Sequence, residues 1–223
     1  MYIPIIKTGE AEIRAMSKLT PTMLKDIMPI IELTRGRQRT RTEGSQKIVS
    51  HPFENRLSKV KEYLNGQTVF LDLTTDESLL STEVFQLYSP HDGYANWRHF
   101  INSNIGNDGF ASVIPAIVFN WEDADFENNF KKQVELLGHE CGEVMYRSSI
   151  QTKDCYDELP LILQYLPQDC NLWIVLDGGY LQDSAVTLAY QRCKKRIQNI
   201  RTRILKGRKA RFVVAATSYP ERV

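Results

Sequence analysis

The 223-residue sequence predicts an α/β fold of the (β/α)8 TIM-barrel type, incomplete because it stops after about seven strands. Three observations predict it. Short apolar runs alternate strictly with stretches of helical period, the order that parallel strands joined by right-handed crossovers require. Several runs are apolar at every position, as in Val113-Ile114-Pro115-Ala116-Ile117-Val118-Phe119 and Phe212-Val213-Val214-Ala215-Ala216, which suits strands covered on both faces. After the first run stands Thr8-Gly9-Glu10 and no Gly-x-Gly-x-x-Gly, so the dinucleotide-binding open sheet is the weaker alternative.

Element by element, residues 2–7 predict a strand, and the stretch from Gly9 to about Asp26 a helical segment. The next strand covers 28–33, and Phe53, Leu57, Val60 and Leu64 mark a helix by their spacing of three and four. A strand over 68–73 precedes a long polar interval, 74–93, which reads as a candidate lid loop because structureless loops of that length usually carry a function. A short helix near 94–104 and a strand over 112–119 follow. Phe126, Phe130, Val134 and Leu137 stripe the next helix, and a strand is predicted over 142–146. A helix over 154–166, a strand over 172–177, a long helix over 184–205 and a strand over 211–217 complete a single domain, 1–223.

Composition excludes several classes. Hydrophobic residues make up 42% and charged residues 25%, ordinary globular usage. A net charge of +1 gives no whole-molecule attraction to nucleic acid or membrane. No run approaches the roughly 18–20 apolar residues of a membrane span, and the N-terminal segment lacks the basic flank of a signal peptide. The four cysteines include no Cys-x-x-Cys pair, so they form neither a zinc site nor a disulfide framework. A cytoplasmic setting without membrane contact is the expectation.

Charge sits where strands end. The predicted strands close on Lys7, Glu32, Asp72, Asn120, Arg147, Asp177 and Ser218. Positions two apart share a face of a strand, so Lys7 follows Ile3 and Ile5, Asp72 follows Phe70, and Asp177 follows Trp173 and Val175. In a barrel those polar tips converge at the mouth, the face that carries the active site. Buried charges must pair with each other, with a metal or with a ligand. Lys7, Glu32, Asp72, Arg147 and Asp177 are therefore the candidate catalytic set. Glu32, Asp72 and Asp177 could hold Mg2+ or another divalent cation through oxygen ligands, with Lys7 and Arg147 opposing a phosphoryl group. Metal-assisted phosphodiester hydrolysis uses those parts. A desolvated Lys7 could alternatively form a Schiff base.

Arg35, Arg37, Arg39 and Arg41 alternate directly after the second strand, a comb suited to successive phosphates; with Asn120 and Ser218 they form the candidate substrate-binding set. A second basic run, Arg192 to Arg211, holds ten lysines and arginines and no acid. It falls on the last helix, whose C-terminal half points away from the mouth, and suits a solvated face or a protein contact. None of the four histidines ends a strand and no Gly-x-Ser-x-Gly occurs, so a Ser-His-Asp triad has no support; His91 and Asp92 are of interest as part of the mouth-side loop.

Tyr2-Ile3-Pro4-Ile5-Ile6-Lys7, Met28-Pro29-Ile30-Ile31-Glu32, Phe70-Leu71-Asp72 and Ala215-Ala216-Thr217-Ser218-Tyr219-Pro220 resemble the phage-associated Beta family proteins. The resemblance implies a barrel-like fold and a phage–host setting of exclusion or defence; it transfers no catalytic residue. Two functions follow as expectations. One is a hydrolase acting on a phosphorylated or nucleic-acid substrate at the mouth. The other is a non-catalytic protein that docks a partner, or a second copy, through the open barrel edge, where unpaired backbone groups invite a strand.

Overall fold

A computed structural model describes residues 1–35, 40–43, 46–49, 52–106 and 109–217, of which 40–43, 46–49 and 217 are described by backbone alone. The packing of the chain divides it into two compact units, Met1–Ile114 with Asn120–Phe126, and Pro115–Phe119 with Glu127–Val223. Among the described residues no helix is long and apolar enough to cross a membrane.

In the first unit, β1 (Ile5–Lys7) is followed by α1 (Glu10–Met16) and α2 (Pro21–Lys25). The single helical segment expected there divides because Thr20 and Pro21 start a new helix, the Thr20 hydroxyl accepting from the Met23 amide at 3.3 Å. Then come β2 (Ile30–Leu33), β3 (Thr40–Glu43), β4 (Gln46–Val49) and α3 (Pro52–Tyr63), which buries Phe53, Leu57 and Val60. Strand β5 (Thr68–Leu73) matches its expected range. Within 74–93 the structure places a 3-10 turn, Glu77–Leu79, and α4 (Thr82–Leu87). Helix α5 spans His91–Ser103, and β6 (Ser112–Pro115, all but its last residue in this unit) ends the sheet, whose order is β1-β2-β5-β6. Neighbours β1 and β2, and β2 and β5, are parallel.

The opening of α5 is unusual. Asp92, Gly93 and Tyr94 have φ of 53°, 67° and 57°, left-handed values that cost a non-glycine residue roughly 1–2 kcal/mol. Arg98 holds this turn, donating from Nε to the Gly93 carbonyl at 3.1 Å and from Nη2 to the Asp92 carbonyl at 3.0 Å. Tyr94 and Trp97 are fully buried beyond it.

The second unit carries α6 (Phe126–Cys141, all but its first residue), β7 (Glu143–Ser149), α7 (Cys155–Tyr165), β8 (Asn171–Tyr180), α8 (Val186–Asn199) and β9 (Ala210–Thr217). A short 3-10 turn precedes α8 and a π-helical turn, Ile200–Ile204, ends it. Its sheet is β7-β8-β9, parallel throughout. The strand expected over 112–119 stops at Pro115. Ala116 still bridges Met145, but the Val118 N–H and C=O both bond the buried Gln133 side-chain amide, at 2.8 and 2.9 Å. A side chain has taken the place of the strand ladder there.

The α/β class with parallel strands is thus present, and the seven expected strands lie in one sheet of four and one of three. A further antiparallel pair, β3 with β4, was not foreseen.

Candidate functional site

In the first unit the register builds a row of charge. Lys7 stands opposite Glu32, and Glu32 opposite Asp72, so the three side chains leave the same face of β1, β2 and β5 near their C-terminal ends. Lys7 Nζ lies 3.8 Å from Glu32 Oε1. The carboxylates are 5% and 8% exposed, whereas the lysine side chain is 43% exposed, so the row opens to solvent on its cationic side. Asp72 Oδ1 accepts from the Leu73 amide at 2.9 Å. Two buried carboxylates side by side call for positive charge, and Lys7 supplies it to Glu32.

Buried threonines follow each member: Thr8 after Lys7, Thr34 two residues after Glu32, and Thr74 two after Asp72. The hydroxyls of Thr8 and Thr34 meet at 3.0 Å, the Thr34 amide donates to the Thr8 hydroxyl at 2.9 Å, and the Thr8 amide donates to the Glu32 carbonyl at 3.0 Å. Arg56, from α3, donates through Nη1 to the carbonyls of Thr8 and Arg35, at 3.0 and 3.3 Å. The Tyr88 hydroxyl donates to the Thr74 carbonyl at 2.9 Å. This frame fixes the strand ends beneath the row and brings Arg56 to them. Sequence reasoning missed Arg56, because a helix residue carries no strand-end signal; the recurring threonines were a signal left unused.

Asn120 belongs to the first unit as a turn residue: its Oδ1 accepts from the Glu122 amide at 3.2 Å and its carbonyl from the Asp123 amide at 3.1 Å. Burial pushes the nearby Tyr94 phenol well above its usual range, the Asp123 carboxylate adds to this, and the Asn120 backbone opposes it. Arg35 is exposed, its amide donating to the Leu79 carbonyl at 2.6 Å. Arg41 lies in β3 opposite Ile48, so from Thr40 onward the comb runs into a hairpin. Arg37, Arg39 and Ser218 lie outside the described residues.

Arg147 and Asp177 belong to the second unit, where they pair with each other. Arg147 Nε and Nη2 both donate to Asp177 Oδ2, at 3.0 and 2.6 Å, and Asp177 Oδ1 accepts from the Gly179 amide at 2.8 Å. Neither residue ends its strand: β7 continues to Ser149 and β8 to Tyr180, with a register shift between Asp177 and Tyr180. Among the described residues, no three side chains of the His, Cys, Asp and Glu types gather to hold a metal ion.

The basic run from Arg192 is partly structural. Arg196, 8% exposed, donates to the carbonyls of Ser149, Ile150 and Thr152, and Arg192 to Gln151 Oε1 at 2.7 Å. Arg208 donates to the carbonyls of Leu166, Pro167 and Cys170. Arg211 lies over the Trp173 ring, whose Nε1 donates to Glu143 at 2.9 Å.

The sequence profile described as Beta protein matches residues 2–223. The chain belongs to the Beta protein family. A relative in Enterobacteria phage P4, Protein beta, is 26% identical over 224 residues, a match that covers all of this chain and 56% of the relative. This Beta family chain thus spans about half the length of the curated relative it matches, and the family link makes it a phage-associated protein. No solved structure matches it.

Proposed function

We propose that this Beta family chain is a hydrolase-like protein that acts on a phosphorylated or nucleic-acid substrate in the cytoplasm, in a phage–host setting of defence or exclusion. The observation that carries the reading is the row of Lys7, Glu32 and Asp72 at the C-terminal ends of three neighbouring strands, two buried carboxylates with one accessible ammonium. Adjacent carboxylates can divide the base and acid roles of hydrolysis between them, and Lys7 with Arg56 offers positive charge to a phosphoryl oxygen. A divalent cation such as Mg2+ enters this proposal through Glu32 and Asp72. Arg147 and Asp177 serve here as a structural pair.

The barrel also belongs to this proposal. The parallel strands and the location of the row at strand C-termini favour it, since barrel sites form at that face. Turnover of bis(4-nitrophenyl) phosphate and of single- and double-stranded oligonucleotides, with and without Mg2+, tests the reading. Glu32→Gln or Asp72→Asn should abolish it, and Arg147→Met should retain it. Wild-type protein without turnover, or active Glu32→Gln and Asp72→Asn variants, sinks it.

A second reading, assembly with a protein partner or a second copy, is favoured by one observation: among the described strands β9 pairs with β8 alone, and so forms a sheet edge.

A further inference from the structure

The second unit has an apolar groove of about 730 Å³ between α8 and the outer face of β9. Helix α8 presents two stripes. Ala189, Cys193 and Arg196 are buried, as is Ile200 at the start of the turn that follows. Val186, Tyr190, Cys193 and Ile197, at helical spacing, line the groove, and Val214 and Ala216 of β9 form its floor. The groove is open to solvent: Val186 and Tyr190 of α8 are 50% and 66% exposed, and Val214 of the β9 floor is 56% exposed. Exposed apolar residues scattered singly are ordinary, but these line one groove.

The chain's own pattern says what shape fits. In this sheet each strand before β9 is followed by a helix, α7 after β7 and α8 after β8, and a right-handed crossover lays each helix beside the one before. The groove lies beside α8 over β9, the position a next crossover helix takes in a sheet of this kind, and among the described strands β9 is an edge where one further parallel strand can pair. The relative from phage P4 has length to supply such elements, since the match takes up 56% of it. Charge narrows the choice. Lys194 and Arg201 flank the apolar floor, and among the described lining residues none is acidic.

We propose that this groove seats an amphipathic helix with an acidic flank, supplied by a helix–strand polypeptide segment whose strand adds in parallel to β9. The inference deepens the assembly reading and does not involve the carboxylate row. The apolar face of the helix covers Tyr190 and Val214, and its acidic flank meets Lys194 and Arg201.

Two synthetic helical peptides test it, each about 18 residues or roughly 27 Å long, with one apolar face in common and flanks of glutamate in one and lysine in the other. Binding to the 223-residue chain is followed by fluorescence anisotropy. The acidic peptide should bind at least about tenfold more tightly than its basic twin. Lys194→Glu with Arg201→Glu should reverse that preference, and Val214→Asp or Tyr190→Asp should abolish binding while circular dichroism stays unchanged, because both positions are exposed. No binding by either peptide, equal binding by both, or binding indifferent to Val214→Asp overturns the proposal. A dimer in light scattering that Val214→Asp dissolves would support assembly but give the groove to a second copy, and so overturn the helix.

Discussion

The Arg147–Asp177 pair can be weighed before it is measured. Its side chains are 23% and 17% exposed, so it lies between a surface ion pair, worth up to about 1 kcal/mol, and a fully buried one, whose rupture costs about 3–5 kcal/mol. Two donors on one carboxylate oxygen at 3.0 and 2.6 Å favour a value of about 2 kcal/mol for Arg147→Met. Asp177→Ala should cost about 3 kcal/mol, because the Gly179 amide also loses its acceptor. The double variant should cost about the same 3 kcal/mol, since most of the arginine's contribution vanishes with its partner, leaving a coupling of about 2 kcal/mol. Urea denaturation of the four proteins reads this directly; at a slope of roughly 2 kcal/mol/M the Arg147→Met midpoint falls by about 1 M. Additive single costs, with coupling below about 0.5 kcal/mol, would show that the two side chains do not act together and would refute the structural role given to them.

Three further outcomes follow from the same geometry. Arg98→Ala should lower stability by about 2 kcal/mol by releasing the carbonyls of Asp92 and Gly93, read as a urea midpoint. Arg196→Ala should destabilise by about 3 kcal/mol through the carbonyls of Ser149, Ile150 and Thr152, and should leave any nucleic-acid affinity, read by filter binding, unchanged. Burial pushes the Cys141 thiol up to about 12 and the Cys170 thiol to about 11, from an ordinary 9.0. Above pH 9 the unfolded chain gives up these protons before the folded one does, so this contribution to stability is complete below pH 9 and falls as pH rises towards 11; urea midpoints taken from pH 7 to 11 check it.

The parts of the fold legible in the sequence were those written in local pattern. Strand β5 and the stripe of α3 follow from apolar spacing alone. The hairpin β3–β4 escaped notice because Thr40–Glu43 and Gln46–Val49 are mostly polar in sequence and carry no alternating apolar pattern. Strand ends were legible as charge, so Lys7, Glu32 and Asp72 stood out. Their mutual order was not, because register depends on which residue of one strand faces which of the next. The same reason hid the Arg147–Asp177 pair: Arg147 lies opposite Val175, on the face that Asp177 shares two residues on, and Ser148 and Ser149 extend β7 past the polarity that was taken as its end. Arg196 and Arg208 read as solvated charge, and become structural only where loops bring carbonyls to them.

A titration with inorganic phosphate, followed residue by residue in amide NMR spectra, tests the central claim most directly. The account predicts shifts concentrated at Thr8, Thr34, Leu73 and Thr74, around Lys7, Glu32 and Asp72, and lost in Lys7→Met. Shifts confined to the N-terminal strand ends of the second unit, near Glu143 and Arg211, or a spectrum that phosphate leaves unchanged, would contradict it.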